Sequence, residues 1–165
     1  MRELALFAGS GGGILGGSLL GWETVCAVEI DPYCQHVLRA RQADGMLPRF
    51  PIADDVRAFD GRVLRGYVDV ISGGFPCQDI SSMGKRTGLQ GERSGLWFEY
   101  ARIIIEVGAP YIFIENSPML VNNVVSAIHA NLAEMGYDAA WGVLGPGLLG
   151  GPHRRDRIWI FAANA

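Results

Sequence analysis

Apolar residues along this chain fall into two alternating kinds of pattern. Leu4-Ala5-Leu6-Phe7-Ala8 is an uninterrupted apolar run of strand length, bounded by glycine. Apolar-rich stretches at 24–28, 52–56, 68–71, 110–114, 137–144 and 158–162, some interrupted by aspartate, complete a set of expected strands. Between them the apolar spacing turns helical: Ile14, Leu15, Leu19 and Leu20; Tyr33, Val37 and Leu38; Leu96, Tyr100, Ile103, Ile104 and Val107; Val121, Val124, Val125, Ile128, Leu132 and Met135. Asp31-Pro32 predicts an N-cap followed by proline at the first helical position, with the helix running to about Arg41. Ser94 is the expected cap of the third helix, and Gly136 stops the fourth. Strands alternating with helices predict an α/β fold, a doubly wound and mostly parallel sheet. No repeat or linker divides it, so residues 1–165 read as a single domain.

Three polar or glycine-rich stretches interrupt the pattern where such a sheet places ligands. Gly9-Ser10-Gly11-Gly12-Gly13 joins the first strand to the first helix, as in nucleotide-binding folds, although the spacing is not G-x-G-x-x-G. Glu29 ends the second strand about twenty positions later, where a carboxylate accepts from ribose hydroxyls; a solvated strand-end carboxylate is the alternative. Asp55 ends the third expected strand, either to accept from an adenine amine or to cap a turn. Gly73-Gly74-Phe75-Pro76-Cys77-Gln78 follows the fourth strand. Cys77 there is a nucleophile on a stiff loop or a small packed thiol, and the loop alone leaves both open. The polar segment 82–93 carries Lys85, Arg86 and Arg93 and has the composition of a mobile lid or of any surface loop.

Composition narrows the field. Net charge is -3 with a sequence pI near 5.6, so no global field draws in a polyanion and any such partner meets local cations. Three cysteines form neither a disulfide framework nor a C-x-x-C pair, and Cys34 near His36 lacks further ligands, so no metal site is expected. Cys26 and Cys34 read as structural thiols. The start lacks a signal-peptide pattern and no apolar run spans a bilayer, which fits a reduced, cytoplasmic or nucleoid-associated setting.

The ordered set Phe7-Ala8-Gly9-Ser10-Gly11-Gly12, Glu29-Ile30-Asp31, Asp55-Val56, Gly73-Gly74-Phe75-Pro76-Cys77-Gln78, Glu115-Asn116 and Arg155-Asp156-Arg157 resembles the DNA cytosine methyltransferases that modify carbon 5 of the base. The motifs span nearly the whole chain in the family's order. The resemblance implies a Rossmann-like S-adenosylmethionine-dependent methyltransferase fold, with S-adenosyl-L-methionine as cofactor and DNA as partner. It implies that Cys77 adds to carbon 6 of a flipped-out cytosine. Glu115 then relieves charge at ring nitrogen 3, and Asn116 orients the loop or the substrate. Arg155 and Arg157, alternating along an expected strand start, would point the same way, to the base carbonyl, the adjacent phosphate and the catalytic loop.

On the cofactor side the resemblance implies Phe7 on adenine and Gly9, Ser10, Gly11 and Gly12 at the methionine end. Glu29 would hold the ribose, with Ile30, Asp55, Val56 and Pro76 around the adenine end. Gln78, Ser81, Lys85 and Arg86 would meet the substrate. Ser117 stands where the family usually has valine, and Pro152-His153-Arg154 departs before the arginine pair. The family's target-recognition region and final helix have no counterpart before Ala165. One alternative is therefore a truncated or non-catalytic cofactor-binding partner that needs a second chain for DNA recognition; another is an RNA cytosine methyltransferase, which the catalytic motifs alone do not exclude. Restriction-modification is the expected setting.

Overall fold

The computed structural model describes residues 1–76, 95–122 and 124–164. In chain order these form β1 (Arg2–Leu6), α1 (Gly12–Leu19), β2 (Glu23–Val28), α2 (Pro32–Ala43), β3 (Ile52–Ala53), β4 (Val70–Gly73), α3 (Gly95–Val107), β5 (Tyr111–Asn116), α4 (Val125–Glu134), β6 (Tyr137–Leu144) and β7 (Arg157–Asn164). Short 3₁₀ turns lie at Gly61–Leu64, Pro118–Asn122 and Pro146–Leu149. Among the described residues one seven-stranded sheet forms, in the order β3-β2-β1-β4-β5-β7-β6. β1 to β5 pair in parallel, whereas β7 runs antiparallel to both β5 and β6.

Side chains alternate across a strand, so each strand feeds two cores. Leu4, Leu6, Ile71, Ile112, Ile114, Ile158 and Ile160 share one core with Trp97, Tyr100, Ile103 and Ile104 of α3 and Ile128 and Leu132 of α4. Each such side chain, fully buried, stabilises the fold by roughly 1.5–3 kcal/mol. Ala5 and Ala27 point the other way, onto Ile14 of α1, Leu38 of α2, Leu47 and Phe50. Helices from the chain thus cover both faces, as the double winding requires. Towards β5 and β7 the second face carries an aromatic row: Phe113 stacks on Trp159 with ring centres 5.3 Å apart and meets Trp22 edge-on at 6.1 Å.

Several expectations need correction. β1 stops at Leu6 rather than Ala8, because Phe7 turns to a positive φ of 52°. β3 holds two residues, and Asp55 lies beyond it in a turn where the amides of Ala58 and Phe59 bond to the Asp55 carbonyl. Of the expected apolar face of α1, Ile14 is buried while Leu15, Leu19 and Leu20 are exposed. On α2 the inward positions are Gln35 and Leu38, with Tyr33 exposed. The cap of α2 forms as expected: the Asp31 carboxylate accepts from the amides of Tyr33 and Cys34 at 2.8 and 3.0 Å. Ser94, the expected cap of α3, lies outside the described residues.

Candidate active site

β1 has β2 and β3 on one side and β4 on the other, so the chain reverses its direction of travel across the sheet at the β1/β4 boundary. Ligands of open α/β sheets bind beyond the carboxyl ends of the strands at such a boundary. Two loops leave there, one carrying Phe7-Ala8-Gly9 and the other Gly74-Phe75-Pro76. Phe7 is the one described non-glycine residue with positive φ, a conformation that costs about 1–3 kcal/mol and concentrates at functional sites. Its ring stacks on buried Tyr100 at 6.1 Å. Gly9 and Gly11 continue the turn at φ 54° and 90°, where side chains are disfavoured.

Glu29 is buried and ties the β2 end to this turn. One carboxylate oxygen accepts from the Gly9 amide at 2.6 Å and the other from the Asp31 amide at 2.8 Å. An ionised carboxylate has about four acceptor positions, so two remain for hydroxyls. Gln35 reinforces the same corner by donating to the Glu29 carbonyl at 2.7 Å and to Asp54 at 3.0 Å.

A cleft of about 320 Å³ opens here, lined by Phe7, Glu29, Ile30, Asp55, Val56 and Pro76 among others. Six residues singled out in four separate sequence motifs therefore meet in one cavity. Gly9, Ser10, Gly11 and Gly12 lie in the adjoining turn and do not line it. Leu96, Glu99 and Arg57 also line the cleft, and sequence reasoning missed them as site residues. Leu96 was visible only as an apolar position of α3, and nothing local sets Glu99 or Arg57 apart. Asp55 reaches the cleft already paired: the Arg57 guanidinium contacts its carboxylate at 2.8 Å and the Arg57 amide donates to Oδ1 at 2.9 Å. Those bonds to Arg57 hold the Asp55 carboxyl below the usual carboxylate range. The turn-capping reading of Asp55 is thus realised, and the residue also lines the cavity.

The second group of expected residues meets at the ends of β4, β5 and β7. Gly73 passes so close to β1 that a Cβ would collide with the Leu6 carbonyl oxygen. At Gly74 a Cβ would lie 2.6 Å from a Glu115 carboxylate oxygen and 2.9 Å from its carbonyl oxygen. The two glycines are thus required for the β4 loop to lie against its neighbours. Asn116, buried at the end of β5, donates from Nδ2 to the Phe75 carbonyl at 2.9 Å and accepts the Ser117 amide at 2.8 Å. Glu115 forms an ion pair with Arg157 at 2.5 Å. β7 begins at Arg157, so Arg155 lies in the preceding loop, exposed to solvent. The expected strand alternation of Arg155 and Arg157 does not occur, and only Arg157 joins Glu115.

Cys77, Gln78, Ser81, Lys85 and Arg86, and the expected lid 82–93, lie outside the described residues. Cys26 is buried, and burial raises its thiol pKa, as suits a structural position. Cys34 is half-buried with its sulfur 3.6 Å from the Ser10 hydroxyl.

A parallel-rich sheet with a reversed seventh strand and a cleft at the first switch point defines the fold class of the S-adenosylmethionine-dependent methyltransferases. The family model described as C-5 cytosine-specific DNA methylase matches residues 1–165, and the chain belongs to that family. It is 32% identical over 166 residues to Type II methyltransferase M.Eco47II of Escherichia coli, covering 98% of this chain and 39% of that protein. Type II methyltransferase M.PspPI of Psychrobacter sp. (strain TA137) is 38% identical over 136 residues, covering 80% of this chain and 32% of that protein. Among solved structures, the Dnmt2 methyltransferase of S. pombe superposes with a TM-score of 0.77 at 19% identity, over 99% of this chain and 49% of its own. The chain thus spans about two fifths or less of these two curated relatives and half of that solved structure.

Proposed function

We propose that this chain is the catalytic and cofactor-binding portion of an enzyme that methylates carbon 5 of cytosine in DNA. The observation that carries the reading is the gathering of Phe7, Glu29, Ile30, Asp55, Val56 and Pro76 around one cleft, in a chain of the cytosine-specific family. The cleft lining suits S-adenosyl-L-methionine: an aromatic ring, a buried carboxylate with spare acceptor positions, further carboxylates and an apolar wall match a purine, a ribose and a cationic sulfonium. When bound, that molecule supplies an activated methyl group.

In this reading Phe7, Ile30, Val56 and Pro76 enclose the adenine end, and Glu29 accepts from the ribose. The backbone of Gly9, Ser10, Gly11 and Gly12 faces the methionine end. Cytosine carbon 5 is too weak a nucleophile to take a methyl group unaided. Cys77, the residue after Pro76, adds as thiolate to carbon 6 and makes carbon 5 enamine-like. Glu115 bonds or protonates ring nitrogen 3 as negative charge develops there. Once carbon 5 has accepted the methyl group, its proton leaves to a base and the carbon–sulfur bond breaks, which regenerates Cys77. Arg157 aligns the Glu115 carboxylate, and Asn116 fixes the Phe75-Pro76 backbone leading to Cys77. Arg155, Gln78, Ser81, Lys85 and Arg86 are assigned to the nucleic acid. Target choice is assigned to a part of the protein beyond these residues or to a second chain, since the two curated relatives named above are more than twice as long.

DNA carrying 5-fluorocytosine tests the covalent step, because fluorine at carbon 5 cannot leave as a proton and the adduct accumulates. In the presence of S-adenosyl-L-methionine and a target-recognition partner, the protein is expected to form a denaturation-resistant adduct that Cys77→Ala abolishes. An adduct that persists in Cys77→Ala would overturn the assignment.

A further inference from the structure

Arg102 lies on α3 two turns from its start and does not line the cleft, yet it bonds to two residues that do. Its Nη2 donates to the Val56 carbonyl at 2.8 Å, and its Nε to the Glu99 carboxylate at 2.8 Å. Nη1 donates to the Phe59 carbonyl at 3.0 Å and to Glu106 at 2.8 and 2.9 Å. One planar guanidinium thus spans the 55–59 turn, which forms one wall of the cleft, and α3, which forms another. Glu106 extends the tie by accepting the Gly61 amide at 2.8 Å.

These contacts are stronger and more specific than a surface ion pair. Arg102 is about one third exposed and Glu106 less than one fifth, so water competes only partly. Hydrogen bonds from a charged donor are roughly twice as strong as neutral ones, and a fixed fork holds two backbone carbonyls at a set angle. Beyond β3 the 55–59 turn is shaped locally by the amide bonds of Ala58 and Phe59 to the Asp55 carbonyl and by the Asp55–Arg57 pair, while the Val56 and Phe59 side chains pack on the core. Side-chain packing is non-directional, so the directional tie between the backbone of this turn and α3 comes from Arg102 through the Val56 and Phe59 carbonyls.

We propose that Arg102 is a positioning residue that fixes the width of the adenosyl end of the cofactor cleft, by holding the Val56 backbone and the Glu99 carboxylate at a set separation. The inference rests on reading the cleft as the S-adenosyl-L-methionine site. Lysine at this position keeps the charge but cannot reach two carbonyls and a carboxylate in one plane.

The test compares wild type, Arg102→Lys and a control, Arg65→Ala, by calorimetry with S-adenosyl-L-methionine and by amide exchange. Arg65 also grips α3, donating to the Ile105 and Glu106 carbonyls at 2.8 Å, but touches nothing in the cleft wall. Arg102→Lys is expected to bind about five- to tenfold more weakly, with faster exchange at Ala58 and Phe59. Arg65→Ala is expected to lower the thermal midpoint and leave affinity unchanged. Equal affinity in Arg102→Lys, or an equal loss in Arg65→Ala, would overturn the proposal. Should Arg102→Lys not fold, Glu106→Gln serves in its place: a smaller weakening with the same exchange signature supports the proposal, and unchanged affinity overturns it. A wild-type protein that does not bind S-adenosyl-L-methionine would instead overturn the cofactor reading. The exchange rates at Ala58 and Phe59 would still report whether Arg102 holds the turn.

Discussion

Asn116 at the end of β5 donates a hydrogen bond to the Phe75 carbonyl, 41 positions earlier in the chain, at 2.9 Å. The bond joins two strand ends whose loops carry the residues assigned to the chemistry. Because Asn116 is buried, its loss leaves the Phe75 carbonyl without that donor. Asn116→Ala is expected to lower stability by about 1–3 kcal/mol, read as a shift in the urea midpoint at unchanged slope. A midpoint within error of wild type would show that the two loops hold each other by other means.

Gly73 gives a sharper steric test. Its Cβ would enter the Leu6 carbonyl, which belongs to the backbone of a central strand and cannot rotate away. Gly73→Ala is expected to destabilise by more than about 3 kcal/mol, at the upper end of single-substitution effects. Gly16→Ala, where nothing lies within 4 Å and the helix favours alanine, is expected to be neutral or mildly stabilising in the same melting experiment.

Glu115 and Arg157 are expected to separate chemistry from stability. Their ion pair is partly exposed, so breaking it should change the unfolding midpoint little. Glu115→Gln keeps the shape and removes the acid–base function, and methyl transfer by the complete enzyme is expected to fall about 10²–10⁴-fold. Single-turnover incorporation of a labelled methyl group measures this, and a fall of less than a few fold would remove Glu115 from the mechanism.

Glu3 predicts a pH dependence. Its carboxyl is buried in the sheet, accepting from the Thr24 hydroxyl at 2.7 Å and the Ser72 hydroxyl at 2.6 Å. Burial raises its pKa, and the two hydroxyl bonds oppose the rise in part. The folded protein therefore holds this proton more tightly than the unfolded chain. The contribution of Glu3 to stability should be fully present below the ordinary glutamate range and be lost as pH climbs towards the raised value, by at most about 1.4 kcal/mol per pH unit. Glu3→Gln should flatten that slope in urea titrations. Asp69 acts with the opposite sign over a lower range: the Arg2 contact holds its carboxyl at about 2, so its contribution is lost as pH falls from the ordinary aspartate range towards that value.

The strands were legible because their cores repeat on both faces: Leu4-Ala5-Leu6 and Ile112-Phe113-Ile114 are apolar at every position and read as buried whichever face is counted. Helical surfaces were less legible. Leu19 and Leu20 have the spacing of an inner face, yet α1 is short and rests on the sheet mainly through Ile14 and Gly17. The cleft residues followed from motifs, but their partners did not. Arg102 reaches backbone carbonyls 43 and 46 positions away, and no local pattern records a contact to a carbonyl. Glu3 looked like an unremarkable polar residue near a terminus, and only the pairing of β1 between β2 and β4 encloses it. Arg155 and Arg157 looked equivalent until the strand boundary fell between them.

Among the described residues, that boundary belongs to the one strand that runs antiparallel to both of its neighbours. A strand of eight residues is about 24 Å long, so its direction decides which rim of the molecule receives its first side chain. Had β7 followed β5 in parallel, the Arg157 guanidinium would emerge at the far rim and would no longer pair with the Glu115 carboxylate. Antiparallel insertion works here as a placement device, delivering positive charge to a rim otherwise furnished by the outgoing ends of strands. In the proposed reading, variation in the loop between β6 and β7 retunes the approach of the nucleic acid while the strand ends that hold the carboxylates stay fixed.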